Sequence, residues 1–169
     1  MPDQKTLKRA ARDRRQGKSA STQAGEFVRE TIEHIREGKH GARSTKQAIA
    51  IGLSKARRAG VDLPPPEPGK TSESTRRNAQ NAYRAGQSGK GAKKPSRRRS
   101  RATTKALKRE GRAAASKTAL SRQAHGAAQR RSAASRSAAA RKAVRTKGAA
   151  GRSTAARKAA RTRRAGKRA

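Results

Sequence analysis

Bulky apolar side chains are scarce in this chain, and that scarcity limits it to small helical packing units. Hydrophobic residues fill 30% of its 169 positions, but most of them are alanine, and the only aromatic side chains are Phe27 and Tyr83. Ordering the backbone costs about 1–2 kcal/mol per residue. Each large side chain buried offsets about 1.5–3 kcal/mol of that. A single large core is excluded, and one small helical unit is what the chain can support.

Charge divides the chain in two. Residues 1–70 carry 16 Lys and Arg against 8 acids, a net +8. Residues 71–169 carry 31 against Glu73 and Glu110, a net +29, and the whole chain is +37. The rest of the C-terminal part is mostly Ala, Ser, Thr, Gly and Gln. Ala and Arg favour helix, yet like charges oppose it and no apolar stripe is available to pack. Residues 71–169 are therefore expected to be disordered, or fraying helix, when free. A sixteen-residue repeat runs through them: RSAAARKAVRTK at 136–147 returns as RSTAARKAARTR at 152–163. Self-repulsion of this size calls for a polyanion to neutralise it, and nucleic acid is the densest in a cell.

Hydrophobic spacing places the folded part between residues 21 and 60. In residues 21–38, Ala24, Phe27, Val28, Thr31, Ile32 and Ile35 share one arc of a helix, while Glu26, Glu30, Glu33 and Glu37 form a second, narrow stripe. Gly38 ends that helix. Ser44 and Gln47 form a capping box opening a second helix, TKQAIAIGLSKARRAG. Its apolar face includes Ile49, Ile51 and Leu53, and its small residues Ala48, Gly52 and Ala56 recur every four positions, so that a neighbouring backbone can approach closely. The alternation in AIAIGL also suits a strand, but the length, the cap and the terminal Gly60 favour helix. The expected fold is mostly α: a two-helix hairpin head at 21–60, with Phe27, Val28, Ile32 and Ile35 packed on Ile49, Ile51 and Leu53. A short solvated helix over 4–16, stopped by Gly17, precedes it. The proline run VDLPPPEPG at 61–69 forms a semi-rigid spacer before the basic tail at 71–169. Within that tail, residues 73–85 form a helix around Tyr83 and residues 87–95 a Gly/Lys linker.

Several chemistries are absent from the pattern. Without cysteine there is no disulfide, thiolate zinc site or cysteine nucleophile. The segments Gly17-Lys18-Ser19 and Gly69-Lys70-Thr71 end like phosphate loops, but Arg12 and Pro64 stand where the first glycine belongs. His34, His40 and His125 lack ligand spacing to one another. No nucleophile, base and orienting group form a set, so no enzyme, cofactor, metal or small-molecule substrate is expected. The N-terminus has no apolar signal region and no run reaches the length of a membrane span. The expected location is cytoplasmic.

The candidate phosphate-binding residues are Arg97, Arg98, Arg99, Arg101, Arg141, Lys142, Arg145, Arg157, Lys158, Arg161, Arg163 and Arg164. Lys46, Arg57 and Arg58 are candidate contacts on the outer face of the second helix. Sequence reading of bases needs a rigid element aimed at their edges, and single-strand stacking needs aromatic platforms. The chain supplies little of either. The Glu26, Glu30, Glu33 and Glu37 stripe has three readings: a solvent face, a cradle masking the chain's own basic N-terminus or tail, or a dock for a basic partner.

Residues 25–60, and above all the KQAIAI-L--AR-AG segment at 46–60, resemble a family of small basic bacterial proteins of undefined function. The resemblance implies a bacterial source and little chemistry. Residues 71–169 are similar in composition to the C-terminal arms of bacterial histone H1-like proteins, although here Arg outnumbers Lys, which leans toward protamine-like chemistry. The expectation is DNA binding without sequence preference by a nucleoid-associated, H1-like protein that compacts or bridges duplexes and self-associates through its hairpin. Two alternatives stand beside it: RNA or ribosome binding, and a protein-interaction hairpin tethered to nucleic acid by its tail.

Overall fold

The computed structural model describes residues 2–88 and 96–166. Seven α-helices follow in order: α1 (Gln4–Arg15), α2 (Ala20–Arg36), α3 (Thr45–Arg58), α4 (Glu73–Gln87), α5 (Arg97–Arg109), α6 (Lys117–Gln129) and α7 (Ala133–Gly166), with a 3-10 turn at Ala113–Ala115 before α6. Among the described residues there is no strand, and AIAIGL lies within α3. No described helix is long and apolar enough to cross a membrane. The expected Gly/Lys linker at 87–95 lies almost wholly outside the described residues.

The helix boundaries follow local chemistry. Gly17, Gly38 and Gly60 all adopt positive φ, between 66° and 85°, just after α1, α2 and α3, a conformation that costs a side-chain-bearing residue energy. Ser44 caps α3, its Oγ accepting from the Gln47 N–H at 3.2 Å, while Gln47 Oε1 reaches back to the Arg43 N–H at 2.7 Å.

The α2–α3 pair forms the centre of the fold. Ala48, Gly52 and Ala56 are buried along one line of α3. A Cβ placed on Gly52 would lie 2.6 Å from the Val28 Cα. Small residues let the two backbones meet, and that register moves Ile49 and Ile51 to the flanks, where they are only half-buried. The expected Ile-rich contact is corrected accordingly. Two apolar clusters form on either side. One gathers Ala10, Ala24, Phe27, Ala56 and Val61 with Leu7, Leu53 and Leu63. The other gathers Ile32, Ile35, Ala42, Ala48, Ala114 and Ala115 with Val28 and Leu120.

These clusters overturn the two-helix head with a disordered tail. Helix α1 is not solvated: it buries Thr6, Ala10 and Asp13 and packs on α2. Asp13 is neutralised by Lys18 Nζ at 2.7 Å. The proline segment lies against α3, held by Arg57, whose Nε donates to the Leu63 carbonyl at 3.0 Å and Nη2 to the Pro64 carbonyl at 3.2 Å. Helix α4 then docks on α3 through Ala79 and Ala82, with Tyr83 Oη donating to Asp62 at 2.7 Å. Gly86 meets the end of α3 so closely that a Cβ there would fall on the Arg57 carbonyl. Farther on, the 3-10 turn fills the second cluster with Ala114 and Ala115. Thr45 Oγ1 donates to the Ala114 carbonyl at 2.8 Å, and Arg36 Nε to the Ala115 carbonyl at 2.9 Å. Alanine suffices as core here because the spaces to be filled lie between closely approaching backbones.

The chain divides into two compact units, Met1–Gln123 and Ala124–Ala169. The second is dominated by α7, which breaks at Gly148 (φ 63°, ψ 179°). Its two helical pieces, 133–147 and 149–166, hold one copy each of the sixteen-residue repeat. Helix wins over disorder because alanine is the best helix former. Like-charged i,i+4 pairs such as Arg141–Arg145 and Arg157–Arg161 cost only about 0.2–0.5 kcal/mol each.

Substituting Gly52→Ala should destabilise the N-terminal unit. The helix-propensity gain of up to about 1 kcal/mol is outweighed by overpacking against the α2 backbone, for a net loss of about 1–2 kcal/mol in urea unfolding.

Candidate nucleic-acid interface

Helix α5 carries seven cations in thirteen residues, and none of its residues is buried. At 3.6 residues per turn, Arg97, Arg101, Lys105 and Lys108 fall within about 80° of arc, and Arg98 and Arg109 extend the stripe to about 120°. Arg99 lies outside it. A shallow cavity of about 510 Å³ runs along this face, bordered by Ser100, Arg101, Thr104, Lys105, Lys108 and Arg109.

In α7 the cations whose side chains are described are exposed all round. Arg141, Lys142 and Arg145 belong to the first repeat copy and Arg157, Lys158, Arg161 and Arg163 to the second, with Arg164 just beyond it; all are exposed. Among the described residues, every ion pair lies between residues 3 and 77. The described cations of α5 and α7 thus have no carboxylate within ion-pair reach among the described residues.

On α3, Lys46 and Arg58 are exposed as expected. Arg57 is not an outward contact: it is 7% exposed, its burial depresses its pKa, and its guanidinium is held by the carbonyls of the proline segment. The sequence offered no sign of this, because Arg57 and Arg58 are neighbours of the same chemistry and only the path of the prolines distinguishes them.

The acidic stripe is a set of internal pairs. Glu26 meets Arg9 Nε at 2.8 Å, Glu33 meets Arg29 at 3.0 Å, and Glu37 meets Lys39 at 2.8 Å. The Lys39 hydrogen bond holds Glu37 below the usual carboxylate range. Glu30 is 2% exposed, which corrects its reading as part of a solvent face. Its Oε1 accepts from Lys55 Nζ at 2.9 Å and its Oε2 from the Asp3 N–H at 3.0 Å. Burial works to raise the Glu30 pKa, but the hydrogen bonds from Lys55, Asp3 and Thr6 outweigh it and hold the carboxyl low. Lys55, the one charge on the apolar face of α3, is present to meet this carboxylate. The basic segment that the stripe cradles is α1, through Arg9 and Asp3; among the described residues, its ion-pair partners all lie at residues 9–55.

Around Glu30 the fold also assembles a polar junction that sequence reasoning missed. His34 Nε2 lies 3.2 Å from Asp3 Oδ2, a contact that lowers the Asp3 pKa. One donor atom from each of Asp3, Glu30 and His34 lies within 4.8 Å of the others. Glu30 and His34 are four apart on α2, a spacing visible in the sequence; the third member comes from the N-cap of α1 and was not. Because Lys55 already balances Glu30, the junction functions as a latch between α1, α2 and α3.

The pH dependence follows from these depressed carboxyls. A folded pKa below the unfolded value stabilises the protein fully above the unfolded value, which for Glu30 is 4.5, and that stabilisation is lost as pH falls through the lower folded value. The thermal midpoint read by circular dichroism should therefore decline as pH is taken from 6 toward 3. Glu30→Gln should cost about 1–3 kcal/mol at pH 7 and show a shallower decline.

Residues 3–67 match a family described as a family of unknown function (DUF6496). The match takes in α1, α2, α3 and most of the proline segment and stops before α4. No curated protein and no solved structure matches the chain.

Proposed function

We propose that this protein binds duplex DNA without sequence preference, by neutralising phosphates, and compacts or bridges DNA as a non-catalytic, nucleoid-associated, histone H1-like protein. The observation that carries the reading is the segregation of charge. Most of the few acids are ion-paired inside the N-terminal unit, while the described cations of α5 and α7 stand exposed with no carboxylate partner among the described residues. Exposed cations that a protein leaves unpaired bind polyphosphate by releasing its counterions. Arginine adds a planar fork that fits phosphate oxygens.

The arrangement within α7 also suits bridging. In and just after the second repeat copy, Arg157, Arg161 and Arg164 fall on one side of the helix, and Arg152 and Arg163 roughly 100–180° away. A helix charged on opposed sides can contact two duplexes and shield their mutual repulsion. Single-stranded partners are poorly served, since Phe27 is 1% exposed and Tyr83 is tied to Asp62, which leaves no aromatic platform for stacking.

A salt series on a mixed-sequence duplex tests the proposal. Engagement of ten phosphates gives a slope of log K against log salt of about −9, since each contributes about −0.9. The affinity should also be unchanged when the sequence is scrambled, and duplex DNA should outcompete structured RNA at equal ionic strength. Failure to bind duplex DNA in dilute buffer would end the proposal, and preference for RNA would move it to RNA or ribosome binding.

A further inference from the structure

We infer that α5, together with the loop pocket at its C-terminal end, forms a fixed footprint for the phosphate backbone of duplex DNA, built into the N-terminal unit and distinct from the α7 repeats. The inference rests on the DNA-binding reading above and specifies where in the chain the tightest contact is made.

Three observations converge on it. The first is alignment. Arg97, Arg101, Lys105 and Lys108 line one side of a helix about 20 Å long. One strand of duplex presents a phosphate about every 3.4 Å along its axis, so this length faces about six phosphates.

The second is continuity. Lys108 borders both the α5 cavity and a second one of about 380 Å³. The second is lined by His40, Lys108, Arg112 and three glycines, with Glu110 its only acid. Among the described residues, Lys108 and Arg112 have no carboxylate partner within 4 Å, and neither does Glu110 have a cation partner. Gly111, where an added Cβ would meet nothing, leaves the backbone open to a phosphate at this wall, and the stripe of cations leads into it.

The third is mounting. The loop between α2 and α3 binds the end of α5 through main-chain hydrogen bonds, Gly41 N–H to the Leu107 carbonyl at 2.8 Å and Ala42 N–H to the Gly111 carbonyl at 3.2 Å. The 3-10 turn that follows is anchored by Thr45 and Arg36. Anchored at its C-terminal end, α5 holds Lys105, Lys108 and Arg109 near the body of the unit, and cations so placed pay less ordering entropy on binding. In α7 the repeat copies offer many equivalent cations, so the loss of a few is made up by their neighbours.

The test compares two full-length variants that lose equal charge: Arg101→Gln/Lys105→Gln/Lys108→Gln on α5, and Arg157→Gln/Lys158→Gln/Arg161→Gln on α7. All six residues are exposed, so helix content by circular dichroism should match the parent. On a mixed-sequence duplex the α5 variant should bind at least about ten-fold more weakly, with a salt slope smaller by about 2.7 for three lost phosphate contacts. The α7 variant should lose less than about three-fold, because each phosphate it releases is taken by a nearby cation. The charge-preserving variant Arg101→Lys/Lys105→Arg/Lys108→Arg should keep near-parental affinity. Equal losses from the α5 and α7 variants, or no loss from the α5 variant, would overturn the footprint while leaving DNA binding in place. A parent chain that ignores duplex DNA would overturn both.

Discussion

The close approach of α2 and α3 is the contact on which the rest of the structure depends. It works because α3 presents Ala48, Gly52 and Ala56 to α2 and turns its isoleucines aside. With so few large apolar side chains, the chain gains stability by bringing backbones together rather than by filling a wide interior, and dispersion between closely packed atoms is what such a contact supplies. The same device recurs where α4 meets the end of α3 at Gly86 and where the 3-10 turn inserts alanines beside Ile35 and Ala48.

Electrostatics then sorts the molecule. The N-terminal unit uses its acids internally: Glu30 and Asp3 latch α1 to α2 and α3, and Glu26 holds Arg9. Burying a carboxylate is expensive unless it is paired, and here the pairing cation, Lys55, comes from the neighbouring helix. Most of the acids are used in making the fold, and the excess positive charge falls on α5 and α7. Architecture and surface charge thus have one cause. A protein with nearly five times as many cations as acids can pair the acids it has and must leave the rest of its surface basic.

Much of the local structure was legible in the residues. The stops at Gly17, Gly38 and Gly60 were visible because positive φ suits glycine, and the α3 cap because a serine and a glutamine three apart satisfy free amide groups. The helix around Tyr83 was legible as well, although the hydrogen bond to Asp62 that fixes it was not. What misled the reading of the tail was the assumption that alanine does not make a core. Ala79, Ala82, Ala114 and Ala115 are buried because backbones already lie near enough for a methyl group to fill the gap, a distance that no one-dimensional pattern encodes.

By itself, the amino-acid sequence determined the helical class, the turn positions and the sign of the surface charge, because these depend on the chemistry of residues a few positions apart. Tertiary structure alone decided which of two adjacent arginines, Arg57 or Arg58, faces solvent, that Glu30 is interior, and that Lys108 and Arg112 border one pocket with His40. Those outcomes depend on where distant segments cross, and the crossing is set by the sum of many small contacts between backbones rather than by any single motif.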